Sequence, residues 1–223
     1  MAFIIASIFL VALLISFIYD KSKIVAGTIS LLVVLVANVV FFGYLPDVTA
    51  GNTIIKIYQW IPDLGINLSF YLDGLSLFFA LLVLVIGLLV VFYSLKYIKG
   101  YPHEGRFFAY LLFFMASMLG VVLSANLISL FVFWELTSFS SFLLIGFNNT
   151  DEKSRYASRQ ALLITAGGGL ALMAGFILMN IATGSYNLTA VLDSKDAIQS
   201  SPLVSGTIIL LLAGAFTKSA QYP

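Results

Sequence analysis

Apolar residues run along this chain in blocks of membrane length, separated by short polar stretches. A helix needs about 20 apolar residues to cross roughly 30 Å of hydrocarbon. By that measure the pattern predicts spans near 2–19, 24–45, 73–95, 107–124, 126–147 and 159–183, and a seventh opening near Leu203. The first run has no basic residue ahead of it and no small-x-small cleavage pattern behind it, so it reads as a retained helix and not as a signal peptide. Between the second and third spans the period changes. Ile66, Leu68, Phe70 and Leu72 alternate with Asn67, Ser69 and Tyr71, which is the period of a strand, and the preceding 53–61 is rich in β-branched and aromatic residues. Pro62, Asp63, Leu64 and Gly65 carry turn chemistry. A small β-hairpin near 54–72 is predicted, extracellular and lying over the helices.

Composition turns this pattern into a class. Of 223 residues, 61% are hydrophobic and 9% charged, with a mean hydropathy of +1.07. Soluble domains carry about a quarter charged residues, so the chain reads as an all-α polytopic membrane protein. The loops set its orientation. Lys21, Lys23, Lys96, Lys99, Arg106, Lys153, Arg155 and Arg159 fall in one set of loops, and only Lys56 and Lys195 in the alternate set. Basic loops stay cytoplasmic, which predicts an N-terminus facing outside.

Charge and cysteine content exclude several functions. A net charge of +1 offers no basic face to a nucleic acid. With no cysteine and a single histidine, His103, thiolate-held clusters, zinc sites and bis-imidazole haem are all excluded. No metal or cofactor is expected, and His103, within a charged loop, reads as solvated. Function must run through carboxylates, lysines, hydroxyls, backbone groups and water. Stripes of small residues at spacing four, Ala116, Gly120 and Ser124 on one helix and Gly167, Ala171 and Gly175 on another, predict close helix approach. The glycines of the second stripe lack G-x-G-x-x-G spacing and a preceding strand, so they do not read as a nucleotide loop.

Three charged residues lie in or against apolar spans. Asp73 stands where the third span begins, the place of a helix cap that accepts hydrogen bonds from orphan amide groups. Glu135 is different: it lies well inside the fifth span, where a charge costs about 3 kcal/mol on translocon scales. Thr137, Ser138 and Ser141 offer hydroxyls at the same depth, and Ser138, three residues on, is the expected direct neighbour of the carboxyl. Lys218 closes the last apolar run, within GAFTKSAQYP, whose small residues, hydroxyls and proline suit a broken helix around a buried site. A glutamate and a lysine at membrane depth can trade a proton as local charge changes. Intramembrane ionisable residues of this kind mark ion and proton paths.

Three blocks also carry a family resemblance. LDGLSLFFALLVLVIGLLVVFYSLKYI, FWELTSFSSFLLIGF and GAFTKSAQYP resemble the third, fifth and seventh helices of the antiporter-like subunits found in Mrp-type Na⁺/H⁺ antiporters, the membrane arm of complex I and membrane-bound hydrogenases. ELTSFSS and the glycine-rich ALLITAGGGLALMAGFILM are most similar to the Mrp large subunit. Complex I relatives often place an aspartate where this chain has Gly169. The resemblance implies inverted five-helix repeats, the first starting at the fourth span. Residues 1–104 would then hold three helices and the hairpin, and 105–223 the first part of the repeat domain, cut in helix seven. It further implies that Glu135 and Lys218 belong to a transmembrane proton route. The expected function is that of a subunit of a monovalent cation/proton antiporter in the plasma membrane, exchanging Na⁺ for protons alongside other subunits. The alternatives are a proton-pumping subunit of NADH–quinone oxidoreductase or of a membrane-bound hydrogenase, and a scaffold whose charges pair structurally. Family members continue well past KSAQYP, so the chain is expected to be an N-terminal fragment.

Overall fold

The computed structural model describes residues 1–18, 23–101 and 103–221. Lys21, one of the basic loop residues, and the closing Tyr222 and Pro223 of the GAFTKSAQYP block lie outside the described residues. Ten α-helices and one two-stranded sheet are present among the described residues. Helices α1 (Ala2–Ile18), α2 (Lys23–Gly43) and the short α3 (Leu45–Thr49) precede strands β1 (Ile54–Ile61) and β2 (Ile66–Leu72). Then come α4 (Gly74–Tyr97), α5 (Glu104–Leu123), α6 (Leu127–Ile145) and α7 (Glu152–Thr183), followed by the short α8 (Leu188–Asp193) and α9 (Lys195–Ser200), and α10 (Val204–Lys218). Five helices, among them α2 run on through α3, are long and apolar enough to cross a membrane. The apolar α1 and α10 are shorter.

Two local departures from the sequence pattern have clear causes. α7 starts at Glu152, ahead of the apolar boundary near 159, because the Asp151 side chain caps it by accepting from the Lys153 and Ser154 amides. Capping satisfies donors that the first turn leaves orphaned, so the helix starts in polar sequence. Beyond Gly184, in the left-handed conformation at φ 72°, Asn187 caps α8 by accepting from the Thr189 amide. That connection is therefore helical in part and not a plain loop. At the hairpin's exit Asp73 caps α4: its carboxylate accepts from the Ser76 amide at 2.9 Å, while the Ser76 hydroxyl accepts from the Asp73 amide at 2.8 Å.

The chain divides into two compact units. The first comprises Met1–Ile55 and Tyr71–Leu123. In it α1 packs on α5, and α2 on α4. The buried Asn38 of α2 donates to the Leu84 carbonyl of α4 at 3.0 Å. Such an interhelical bond satisfies a polar group that lipid could not.

The second unit comprises Lys56–Phe70 and Ser124–Pro223. Here α6 and α10 both pack on α7. The segment leading into α6 is held from two sides. The Ala125 amide donates to the Ser69 carbonyl of the hairpin at 2.8 Å, and the Leu127 amide donates to the Tyr186 carbonyl, also at 2.8 Å. Asn126 caps α6 by accepting from the Ile128 and Ser129 amides, and its amide nitrogen donates to the Gly65 carbonyl at the hairpin turn, at 3.1 Å. The rings of Phe70 and Phe133 pack 6.3 Å apart beneath this joint. The hairpin arm and the end of α7 thus fix where α6 begins, and with it the depth at which Glu135 sits.

Candidate functional site

The site is built on a single turn of α6. Lys218, the last residue of α10, extends its amine to that turn, where it donates to Thr137 Oγ1 at 2.6 Å and to Ser138 Oγ at 2.8 Å. A third, longer contact reaches the Trp134 carbonyl at 3.5 Å. The amine also lies 5.4 Å from the centre of the Trp134 ring, within cation–π range. The hydroxyl hydrogens of Thr137 and Ser138 are directed at the Trp134 carbonyl, at 2.6 and 3.4 Å. Their lone pairs are thereby left to accept from the lysine. An ammonium has three donors and no acceptor, and this nest offers it three acceptors, all neutral.

Two features of α10 bring the amine there. The helix ends at Lys218, and the Gln221 amide reaches back to the Phe216 carbonyl at 3.0 Å across Ala220, which adopts φ 53°. That is a Schellman-type closure, in which a left-handed residue ends the helix and satisfies its last carbonyls. A cation in the last turn also complements the helix dipole.

Glu135 leaves α6 roughly a third of a turn away from this nest, as 3.6 residues per turn requires. Its carboxyl turns to α7, and Oε1 is enclosed without a hydrogen-bond donor. It does not touch Lys218: no ion pair within 4.0 Å joins them among the described residues.

The structure corrects one expectation. Ser138 is not the partner of Glu135; its hydroxyl donates to its own helix and accepts from Lys218. Ser141, offered as a further polar support, donates to the Thr137 carbonyl at 2.7 Å and contacts neither charged group through a hydrogen bond. Thr137 is almost fully buried and belongs to the lysine nest. Two contacts of the site were not among those the sequence pointed to, although the α7 glycines were expected to allow close helix approach. Trp134 supplies a carbonyl and a ring to Lys218, and the glycines of α7 supply room for neighbours. A Cβ at Gly168 would fall on Thr217 Oγ1, and one at Gly169 on Glu135 Oε1. The signal for the latter was three consecutive glycines inside a membrane helix, a costly choice unless something packs against them. The stripe at Gly167 is only partly a contact, since a Cβ there would meet nothing within 4 Å.

Two stretches of the chain are similar to known families. Residues 124–223 match the family model described as NADH:quinone oxidoreductase/Mrp antiporter, transmembrane. Residues 59–108 match that of NADH-ubiquinone oxidoreductase (complex I), chain 5 N-terminus. Over 201 residues the chain is 47% identical to the A1 subunit of a Na(+)/H(+) antiporter of Staphylococcus haemolyticus, covering 90% of this chain and 25% of that protein. Over 217 residues it is 45% identical to a Na(+)/H(+) antiporter subunit of Alkalihalophilus pseudofirmus, covering 96% of this chain and 27% of the relative. Among solved structures, the Mrp complex from Dietzia sp. DQ12-45-1b superposes with a TM-score of 0.76 at 29% identity, over 96% of this chain and 23% of that one. A membrane-bound sulfane sulfur reductase, an archaeal respiratory membrane complex, shares the fold at a TM-score of 0.80 and 21% identity, over 96% of this chain and 33% of that one. The chain spans about a quarter of the length of the curated relatives it matches. The matched segments take in the hairpin turn, the α6 turn and the end of α10, and residues 124–223 are similar to the transmembrane family described as NADH:quinone oxidoreductase/Mrp antiporter.

Proposed function

We propose that this chain is part of a subunit of a multisubunit monovalent cation/proton antiporter of the cell membrane, and that Glu135 and Lys218 provide part of its transmembrane proton route. One observation carries the reading. A glutamate with an unpartnered, enclosed carboxyl oxygen and a lysine held only by neutral acceptors share one turn of a membrane helix. Neither charge is neutralised by direct contact, so the arrangement is a poor structural bridge and a good relay. A proton can be held at either group and passed between them through a small motion of the lysine stem or a bridging water. Relatives named as Na(+)/H(+) antiporter subunits support Na⁺ as the exchanged cation and further subunits as partners.

The family's other branch supplies a second reading, in which the same two residues serve a redox-driven pump. One experiment separates the two. Everted vesicles carrying the complete complex receive an imposed pH gradient and no electron donor. Added Na⁺ should dissipate that gradient. No response to Na⁺, with proton movement only when an electron donor is supplied, would transfer the assignment to a redox pump.

The orientation belongs to the same proposal. Loops rich in lysine and arginine face the cytoplasm, which puts the N-terminus, the hairpin and the start of α6 outside. Alkaline phosphatase joined after Gly51 should be active, and joined after Thr150 inactive. The opposite pattern would invert the topology.

A further inference from the structure

The three consecutive glycines of α7 differ in what lies against them. A Cβ at Gly167 would meet nothing within 4 Å. One at Gly168 would fall on Thr217 Oγ1, whose neighbour in sequence is Lys218. One at Gly169 would fall on Glu135 Oε1, with the carboxyl carbon 2.9 Å away and Oε2 at 3.5 Å. Gly169 is buried, and the oxygen that occupies its missing side-chain volume is the one that finds no donor. The carboxyl is thus placed by shape and not by a hydrogen bond. Glycine is among the poorest helix formers, and at 169 the group lying against it is the carboxyl of Glu135.

We propose that Gly169 is a positioning residue for Glu135: the absence of a side chain on α7 is the seat of the carboxyl, and that seat keeps it apart from the lysine nest on Thr137 and Ser138. The proposal rests on the reading that Glu135 carries protons, and adds that α7 sets the separation between carboxyl and amine. In this chain a side chain at 169 would meet the carboxyl where it now lies and turn it out of its seat. The nearest cation it can then meet in the described site is Lys218, and a direct ion pair would immobilise both members of the relay.

The test combines thermal stability with exchange, in the complete complex. Gly169→Ala should lower the melting temperature of the complex, and the same substitution should cost nothing in a Glu135→Ala background, where the clashing group is gone. Gly167→Ala, whose Cβ meets nothing within 4 Å, should exchange as wild type and be no less stable. In Na⁺/H⁺ exchange, Gly169→Ala should reduce the maximal rate at least tenfold, with the half-saturating Na⁺ concentration unchanged. Adding Glu135→Asp, whose shorter stem withdraws the carboxyl, should restore part of that rate. An equal stability cost of Gly169→Ala in both backgrounds would overturn the seat. A seat confirmed by stability, with exchange at wild-type rates in Gly169→Ala, would overturn the positioning role. Loss of the transport reading itself would show separately, as full exchange in Glu135→Ala.

Discussion

Replacing Glu135 with alanine is expected to abolish Na⁺/H⁺ exchange by the complete complex while leaving its amount in the membrane unchanged. The physical grounds for the two halves differ. Insertion should not suffer, because a charged residue in a span costs about 3 kcal/mol on translocon scales and alanine removes that cost. Local packing should tolerate the change as well, because Oε1 makes no hydrogen bond that would be lost. Transport should fail because alanine cannot hold a proton at the one place where α6 presents a carboxyl to α7. Proton-transferring groups contribute about a hundredfold or more to rates, so residual exchange should fall to background. Immunoblotting of membranes beside vesicle exchange separates the two halves. Reduced insertion would recast Glu135 as structural.

The second large effect is expected at Lys218. Arginine there keeps a positive charge and reaches about as far, yet it stays protonated at any ordinary pH. Its fork of five donors also mismatches a nest of two hydroxyls and one distant carbonyl. Exchange by Lys218→Arg should fall about tenfold to a hundredfold, the equivalent of losing hydrogen bonds to a charged group of some 1.5–3 kcal/mol. Thermal stability of the complex should change less than exchange. An arginine variant that exchanges at the wild-type rate would leave Lys218 a fixed charge and remove it from the proton route.

Much of this architecture could be read from residue order, and the physical reason is the solvent. Lipid demands long apolar helices, so the spans from Gly74 to Thr183 stand out by length alone. The hairpin was visible because the Ile66–Leu72 alternation changes period between two helices. Helices α8 and α9 were not visible: each is six residues long, too short to show a period, and α8 starts from its Asn187 cap. The charged residues of the site could be singled out by depth, but not by direction. Which neighbour a side chain meets depends on the rotation of α6 against α7 and α10. Spacing suggested Ser138 beside Glu135, whereas the rotation gives Ser138 to Lys218 and turns Glu135 toward Gly169. A glycine records contacts only through what its neighbours fill, and one sequence cannot show that.

The most direct test of the proton route is Na⁺/H⁺ exchange in everted vesicles carrying Glu135→Gln, which preserves the shape of the carboxyl and removes its ability to carry a proton. Exchange at background, with wild-type amounts of complex in the membrane, is the result expected if Glu135 is a proton carrier. Exchange at the wild-type rate would show that the carboxyl at the centre of this turn takes no part in moving protons.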